Sequence, residues 1–331
     1  MPELRYNVIT REWVVIATER AKRPDQFVRK QEKKPLPPHD PKCPFCPGNE
    51  GMTPPATYVV PDTKSWRVRV TPNKFAALSY DGERKRMVQG IRRTVSGVGI
   101  HEVMIETPAH NLTTALLPDS EVELIIETYL NRFKFASADS RIEQVTIFKN
   151  HGEAAGTSIE HPHSQMIATP VITSQVRLRL SSALEHFDEF GECIFCRVQE
   201  LELKDQTRIV LETEHFVAFI QFATLTPFSL LVMPRRHMAC FAEIRDAEAV
   251  DLARNLRRVL AKLYRGLGDP DYNYVIRTAP AEYCGVKHYH WYVSIIPRLT
   301  KMAGFELGSG MFINVSLPEE NASFLRGIQV E

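Results

Sequence analysis

The stretch Asn150-His-Gly-Glu-Ala-Ala-Gly156-Thr-Ser158-Ile-Glu-His161-Pro-His163-Ser-Gln165 ends in a His-x-His, and a second His-x-His, His288-Tyr-His290, closes a similar run later in the chain. Working outward, each is preceded by a lone histidine and a Cys-x-x-Cys pair. The first half reads Cys43-Pro-Phe-Cys46, His110, His161-Pro-His163, and the second Cys193-Ile-Phe-Cys196, His237, His288-Tyr-His290. His161 follows His110 by 51 residues, and His288 follows His237 by the same 51. An equal interval of that length between matching residues marks a duplicated unit. We therefore read two domains, 1–172 and 173–331. A chain of 331 residues that is 44% hydrophobic is long enough for two cores.

Two thiolates and two imidazoles make a tetrahedral zinc site, whereas a redox pair needs no distant histidines. The expected ligands are Cys43, Cys46, His110 and His161 in the first half, and Cys193, Cys196, His237 and His288 in the second: two zinc ions per chain. Cys240 and Cys284 stand apart from both sets. Lys plus Arg (41) and Asp plus Glu (40) nearly cancel, so no bulk charge points to nucleic acid or a membrane surface. No apolar run approaches the roughly 20 residues of a membrane span, and the N-terminus lacks a signal-peptide pattern. The expectation is a cytoplasmic location.

Between the ligands each half repeats one plan. A strand ends in proline just before the lone histidine (101–108; 229–234), and a long helix follows. In the first helix Ser120-Glu-Val-Glu123 reads as a capping box, and Val122, Ile125, Ile126, Tyr129, Leu130 and Phe133 form one apolar stripe. The second helix begins near Asp246, with Gly266 as its expected cap. A strand then leads into His-x-His and one more strand. Each half is thus an antiparallel sheet packed by a long helix, an α+β domain. The Pro-rich, basic stretch from Lys22 to Lys42 reads as an exposed arm, with Arg20 and Arg23 beside it as candidate phosphate ligands.

The halves differ where chemistry is done. On an extended segment alternate side chains share a face, so His161, His163 and Gln165 point one way. Gly152 and Gly156 let the backbone approach an anion, with Asn150 and Ser158 as donors. The second half lacks this loop. One half is read as active and the other as structural.

On these residues, and on Arg11-Glu-Trp-Val-Val-Ile, Asn73 and Met233-Pro-Arg-Arg-His237, the chain resembles the hexose-1-phosphate uridylyltransferase family of the histidine triad superfamily. The resemblance implies two tandem histidine-triad-like domains and ping-pong transfer of a nucleotidyl group. His163 would be the nucleophile and Gln165 the group that steadies the phosphoryl oxygens. Asn150, Gly156 and Ser158 would be phosphate contacts, Asn73 a nucleoside contact, and Glu306 a sugar contact. Arg20 and Arg23 would reach across a homodimer. The donor expected first is UDP-glucose, with galactose 1-phosphate as acceptor. Leu307-Gly-Ser-Gly-Met-Phe-Ile-Asn314 instead resembles the adenylyltransferase branch, for which ADP-glucose and inorganic phosphate are the alternative pair. A zinc-stabilised nucleotide-binding module without catalysis, and a nucleotide hydrolase, are the competing classes.

Overall fold

A computed structural model describes residues 1–30 and 33–330. Its strands are β1 (Glu3–Asn7), β2 (Glu12–Ile16), β3 (Tyr58–Val60), β4 (Val68–Pro72), β5 (Arg86–Gln89), β6 (Arg92–Val95), β7 (Ile100–Ile105), β8 (Gln144–His151), β9 (His163–Thr169), β10 (Ile209–Glu212), β11 (Phe216–Phe219), β12 (Leu230–Pro234), β13 (Tyr272–Arg277), β14 (Tyr292–Pro297) and β15 (Phe312–Asn314). The helices are α1 (Asp119–Ser137), α2 (Ser174–Phe190), α3 (Ile194–Asp205), α4 (Asp246–Leu267), α5 (Gly304–Ser309) and α6 (Pro318–Gly327).

Ten strands form one antiparallel sheet in the order β10-β11-β12-β14-β13-β8-β9-β7-β4-β3. The order is the same read from either side of the β13–β8 seam, so each half contributes five strands in matching positions. At the seam Asn273 pairs with Asn150 and Tyr274 with Lys149. The α+β reading holds, with the two halves fused edge to edge into a continuous sheet. Smaller sheets join β1, β2 and β15, and β5 with β6.

Alternation along the strands gives the sheet two different faces. One is apolar and packs α1 and α4: Val145, Ile147, Met166, Ala168, Tyr274, Ile276, Val293 and Ile295 join the helix stripes, including Val122, Ile125, Tyr129, Leu252, Leu256 and Val259, in one core. Lys149 and Glu106 pair within that layer, both essentially inaccessible. Tyr129 donates to Glu106 at 2.8 Å and Thr114 at 3.0 Å, so a desolvated carboxylate is fully engaged. The opposite face carries His163 and Gln165 on β9, and Asn150 on β8.

Three local expectations are corrected. α1 begins at Asp119 with Pro118 at its N-cap, so Ser120 lies inside the first turn and forms no capping box. α4 runs through Gly266 to Leu267 and stops at Gly268, whose φ of +71° is the left-handed conformation glycine adopts without strain. Gly266 serves packing instead: a Cβ there would sit 3.1 Å from the Phe324 ring. The Lys22–Lys42 arm, whose Gln31 and Glu32 fall outside the described residues, is not wholly solvated. Phe27 is buried against Phe228, and Arg29 and Lys33 bind Asp271 at 2.8 and 3.1 Å. Cys240 and Cys284, distant in sequence, are bonded to each other with Cα atoms 5.0 Å apart.

Candidate active site and metal centres

The first cluster gathers Cys43, Cys46, His110 and His161, all buried, with ligand atoms within 4.8 Å of one another. Cys46 Sγ lies 3.5 Å from Nδ1 of both His110 and His161. Zinc bonds of about 2.3 Å to sulfur and 2.0–2.1 Å to nitrogen, at tetrahedral angles, separate S and N by roughly 3.5 Å. The second observation of fit is protonation. His161 Nε2 donates to the Thr107 carbonyl at 2.7 Å, which leaves Nδ1 a bare lone pair facing sulfur. Burial pushes the Cys43 thiol up to about 11, against a backbone N–H from Phe45; a cation is what would make it a thiolate.

In the second cluster the ligands are Cys193, Cys196, His237 and His290. Cys196 Sγ lies 3.2 Å from His237 Nδ1 and 3.3 Å from His290 Nδ1, and His237 Nε2 donates to the Val286 carbonyl at 3.1 Å. This corrects the expectation for His288. β9 begins two residues after its ligand histidine, His161, and β14 begins two residues after His290. The structural counterpart of the 51-residue interval is therefore 53 residues, His237 to His290. The loop before β14 holds the two extra residues, and the His288 ring instead faces the edge of Phe187 at 6.4 Å. By the same count the position of His163 is taken by Tyr292 in the second half, and that of Gln165 by Ser294.

His163 opens β9, opposite Ile105. It is 8% exposed, and the Phe45 ring meets it edge-on at 5.2 Å. Its Nδ1 lies 2.8 Å from the carbonyl of His161. That carbonyl can only accept, so Nδ1 carries the proton and the Nε2 lone pair is the free one. Burial, with the charge of Lys149 behind the sheet, holds the imidazole below its ordinary pKa. The ring is neutral and nucleophilic near pH 7.

Gln165 is oriented by a residue the sequence reading passed over. The backbone N–H of Ala77 donates to His101 Nδ1 at 3.1 Å, which puts the His101 proton on Nε2. Nε2 then donates to Gln165 Oε1 at 2.9 Å, and Asn73 Nδ2 reaches the same oxygen at 3.4 Å. With its oxygen held inside, the Gln165 amide presents N–H donors outward. Asn73 also accepts from the Phe75 N–H at 2.8 Å, so both ends of its amide are committed within the protein. A His101→Phe variant should lose about 1–3 kcal/mol of transition-state stabilisation, on the order of ten- to a hundredfold in kcat. KM should change little, and His101→Gln should recover part of the loss. A rise in KM with kcat unchanged would show that His101 serves binding alone.

The 150–158 loop is clamped from the second half. Asn150 Oδ1 accepts from Asn273 Nδ2 at 2.7 Å, and the same nitrogen donates to the Ala155 carbonyl at 2.9 Å. Asp271 accepts from the Ala154 N–H at 2.8 Å. Gly152 is required here: its φ is +83°, and a Cβ would fall 2.2 Å from the Asp271 carboxyl. Gly156 has φ +89°, and Ser158 is exposed beside it. Arg20 and Arg23 are exposed and unpaired among the described residues, and no hydrogen bond joins them to the His163 group. Glu306 lines a cleft that Glu153 and Ala154 of this loop also border, and accepts from the Ala303 N–H at 2.9 Å.

The chain as a whole is similar to known proteins. The model of the galactose-1-phosphate uridyl transferase N-terminal domain matches residues 1–173, and that of its C-terminal domain residues 179–327. The chain belongs to the galactose-1-phosphate uridylyltransferase family. It is 35% identical to the ADP-glucose phosphorylase of Arabidopsis thaliana over 334 residues, 99% of this chain and 93% of that one. It is 30% identical to the galactose-1-phosphate uridylyltransferase of Thermotoga maritima over 341 residues, the full length of both. Among solved structures, the Arabidopsis ADP-glucose phosphorylase with bound ADP-glucose superposes with a TM-score of 0.85 at 33% identity, covering all of both chains. A uridylyltransferase superposes with a TM-score of 0.76 at 26% identity, covering 98% and 97%. Membership makes the chain a nucleotidyltransferase of the hexose-1-phosphate class. No described helix is long and apolar enough to cross a membrane.

Proposed function

We propose that the chain transfers a nucleotidyl group from a nucleotide sugar to a phosphate acceptor through a covalent nucleotidyl-His163, with ADP-glucose and inorganic phosphate as the preferred pair. The observation that carries the chemistry is the His163 Nδ1 contact with the His161 carbonyl, which frees Nε2 for attack. Nε2 attacks the α-phosphorus, a P–N bond forms, and the bond from that phosphorus to the bridging oxygen breaks. Hexose 1-phosphate leaves with the bridging oxygen. An acceptor phosphate oxygen then attacks the same phosphorus and the lone pair returns to Nε2. Gln165 donates to the phosphoryl oxygens as charge builds on them, with Asn150, Ser158 and the backbone at Gly156 alongside. Cys43, Cys46, His110 and His161 would hold a zinc ion that, when bound, would lend rigidity to His161, whose carbonyl orients the His163 ring. A cytoplasmic homodimer, with Arg20 and Arg23 reaching the partner's site, completes this reading.

The choice of donor reverses the order expected from the sequence. It is supported by the greater likeness to ADP-glucose phosphorylase in both sequence and fold, and by the Gly308-Ser-Gly310 stretch. Transfer of uridylyl from UDP-glucose to galactose 1-phosphate is the second reading, supported by the family models and the Thermotoga relative. A pocket that hydrogen-bonds one base leaves polar groups unpaired with the other, so one donor should prevail by a factor on the order of 10⁴. Measuring kcat/KM for each donor with each acceptor decides. ADP-glucose with phosphate should win; UDP-glucose with galactose 1-phosphate winning would install the second reading.

A further inference from the structure

The face that carries His163 continues across the seam into the second half, where it becomes cationic. Arg277, the last residue of β13, pairs with Tyr292 on β14, just as Asn150 stands one step beyond the last β8–β9 pair, beside His163. Arg179 of α2 comes up against Arg277. The two guanidiniums have no carboxylate between them: neither forms an ion pair among the described residues. Among the described residues Arg277 has a single polar contact, Gln175 Oε1 at 3.4 Å, and Arg179 gives one N–H to the Gln175 carbonyl of its own helix at 3.3 Å while its Nε is buried without a partner. Burial first, and the charge of Arg179 second, hold Arg277 below the usual guanidinium range. The hydroxyls of Tyr292 and Ser294 make no hydrogen bond within the described residues.

Desolvated like charges with spare donors are costly unless something anionic joins them. They line a cleft of about 860 Å³, within the size of small-molecule sites. The acids around this cleft do not neutralise the pair. Asp271 is taken up by Arg29, Lys33 and the Ala154 N–H, Glu306 accepts from the Ala303 N–H, and Glu153 is exposed on the active-site loop. Arg277 lies four residues along β13 from Asn273, the residue that holds Asn150, roughly 13 Å at strand rise, while Glu153 and Ala154 of the phosphate loop border the same cleft.

We infer that Arg179 and Arg277, with Tyr292 and Ser294, form a second, non-catalytic site for a phosphate group in the duplicated half. Two planar forks converging on one anion are suited to a phosphate's oxygens. With a tyrosine where the first half has its nucleophile, the site binds without transfer. Its occupant is inorganic phosphate or the phosphate of a sugar phosphate.

The test is equilibrium dialysis of the intact protein with labelled inorganic phosphate and, separately, glucose 1-phosphate, counting ions bound per chain. Arg277→Gln should bind one fewer than wild type, with transfer kinetics unchanged and a melting temperature in phosphate-free buffer no lower than wild type. Arg179→Gln, on a half-exposed helix face, gives the same readout should Arg277→Gln not fold. Loss with both ligands marks a bare phosphate site, and loss with glucose 1-phosphate alone marks a cleft that also reads the sugar. Equal counts in wild type and variants overturn the inference, as does a fall in transfer that parallels the lost site, which would assign Arg277 to the His163 centre. Failure of covalent transfer itself leaves this count unaffected.

Discussion

Transfer activity should disappear in a His163→Asn variant while fold and metal content stay as in wild type. Asparagine has no imidazole lone pair, and without the nucleophile the two-step route is closed, so kcat should fall by roughly 10⁴ or more. The variant should still fold. Among the described residues His163 hydrogen-bonds only to a backbone carbonyl and lies outside the four-residue cluster, in which His161 would be the ligand. Gln165→Ala should be milder, losing about 2.7–4 kcal/mol of transition-state stabilisation as single oxyanion donors do. Steady-state kinetics beside thermal melts and metal analysis give the readout. Residual transfer within tenfold of wild type would remove His163 from the mechanism.

Metal analysis of the purified chain should return two zinc ions, and His290→Ala should lower that to one while His288→Ala leaves two. The contrast follows from the cluster geometry, in which His290 and not His288 approaches Cys196. Structural zinc binds with about 10–16 kcal/mol of apparent free energy in small domains, comparable to the whole stability of a typical fold, about 5–15 kcal/mol. Loss of either centre should therefore lower the melting temperature steeply. The effects on chemistry should separate: Cys46→Ser loosens the segment that carries His163 and should abolish transfer, whereas Cys193→Ser should chiefly reduce stability. One zinc per chain, indifferent to His290→Ala, would make the second cluster a relic of duplication.

What was legible in the sequence was local. Cys-x-x-Cys spacing, the apolar stripes of α1 and α4, and the glycines of the 150–158 loop each express a constraint that acts within a few residues. Errors arose where two local readings compete. Gly266 and Gly268 both resemble a helix stop, and only the packing of Phe324 and Ile328 against Gly266 tells them apart. His288 and His290 are equally plausible ligands until the start of β14 sets the register, and the repeated 51-residue interval favoured the wrong one. His101, Asp271 and Asn273 gave no signal at all. Their roles depend on neighbours 64 to 123 residues away in sequence, and periodicity along one strand carries no information about the strand beside it. The Cys240–Cys284 bond escaped for the same reason.

The most direct test weighs the intact protein after incubation with ADP-glucose, and in parallel with UDP-glucose, with no acceptor present. The account predicts a chain heavier by one AMP, released on addition of inorganic phosphate and absent from His163→Asn. No adduct with either donor, or an adduct that survives in His163→Asn, would contradict it.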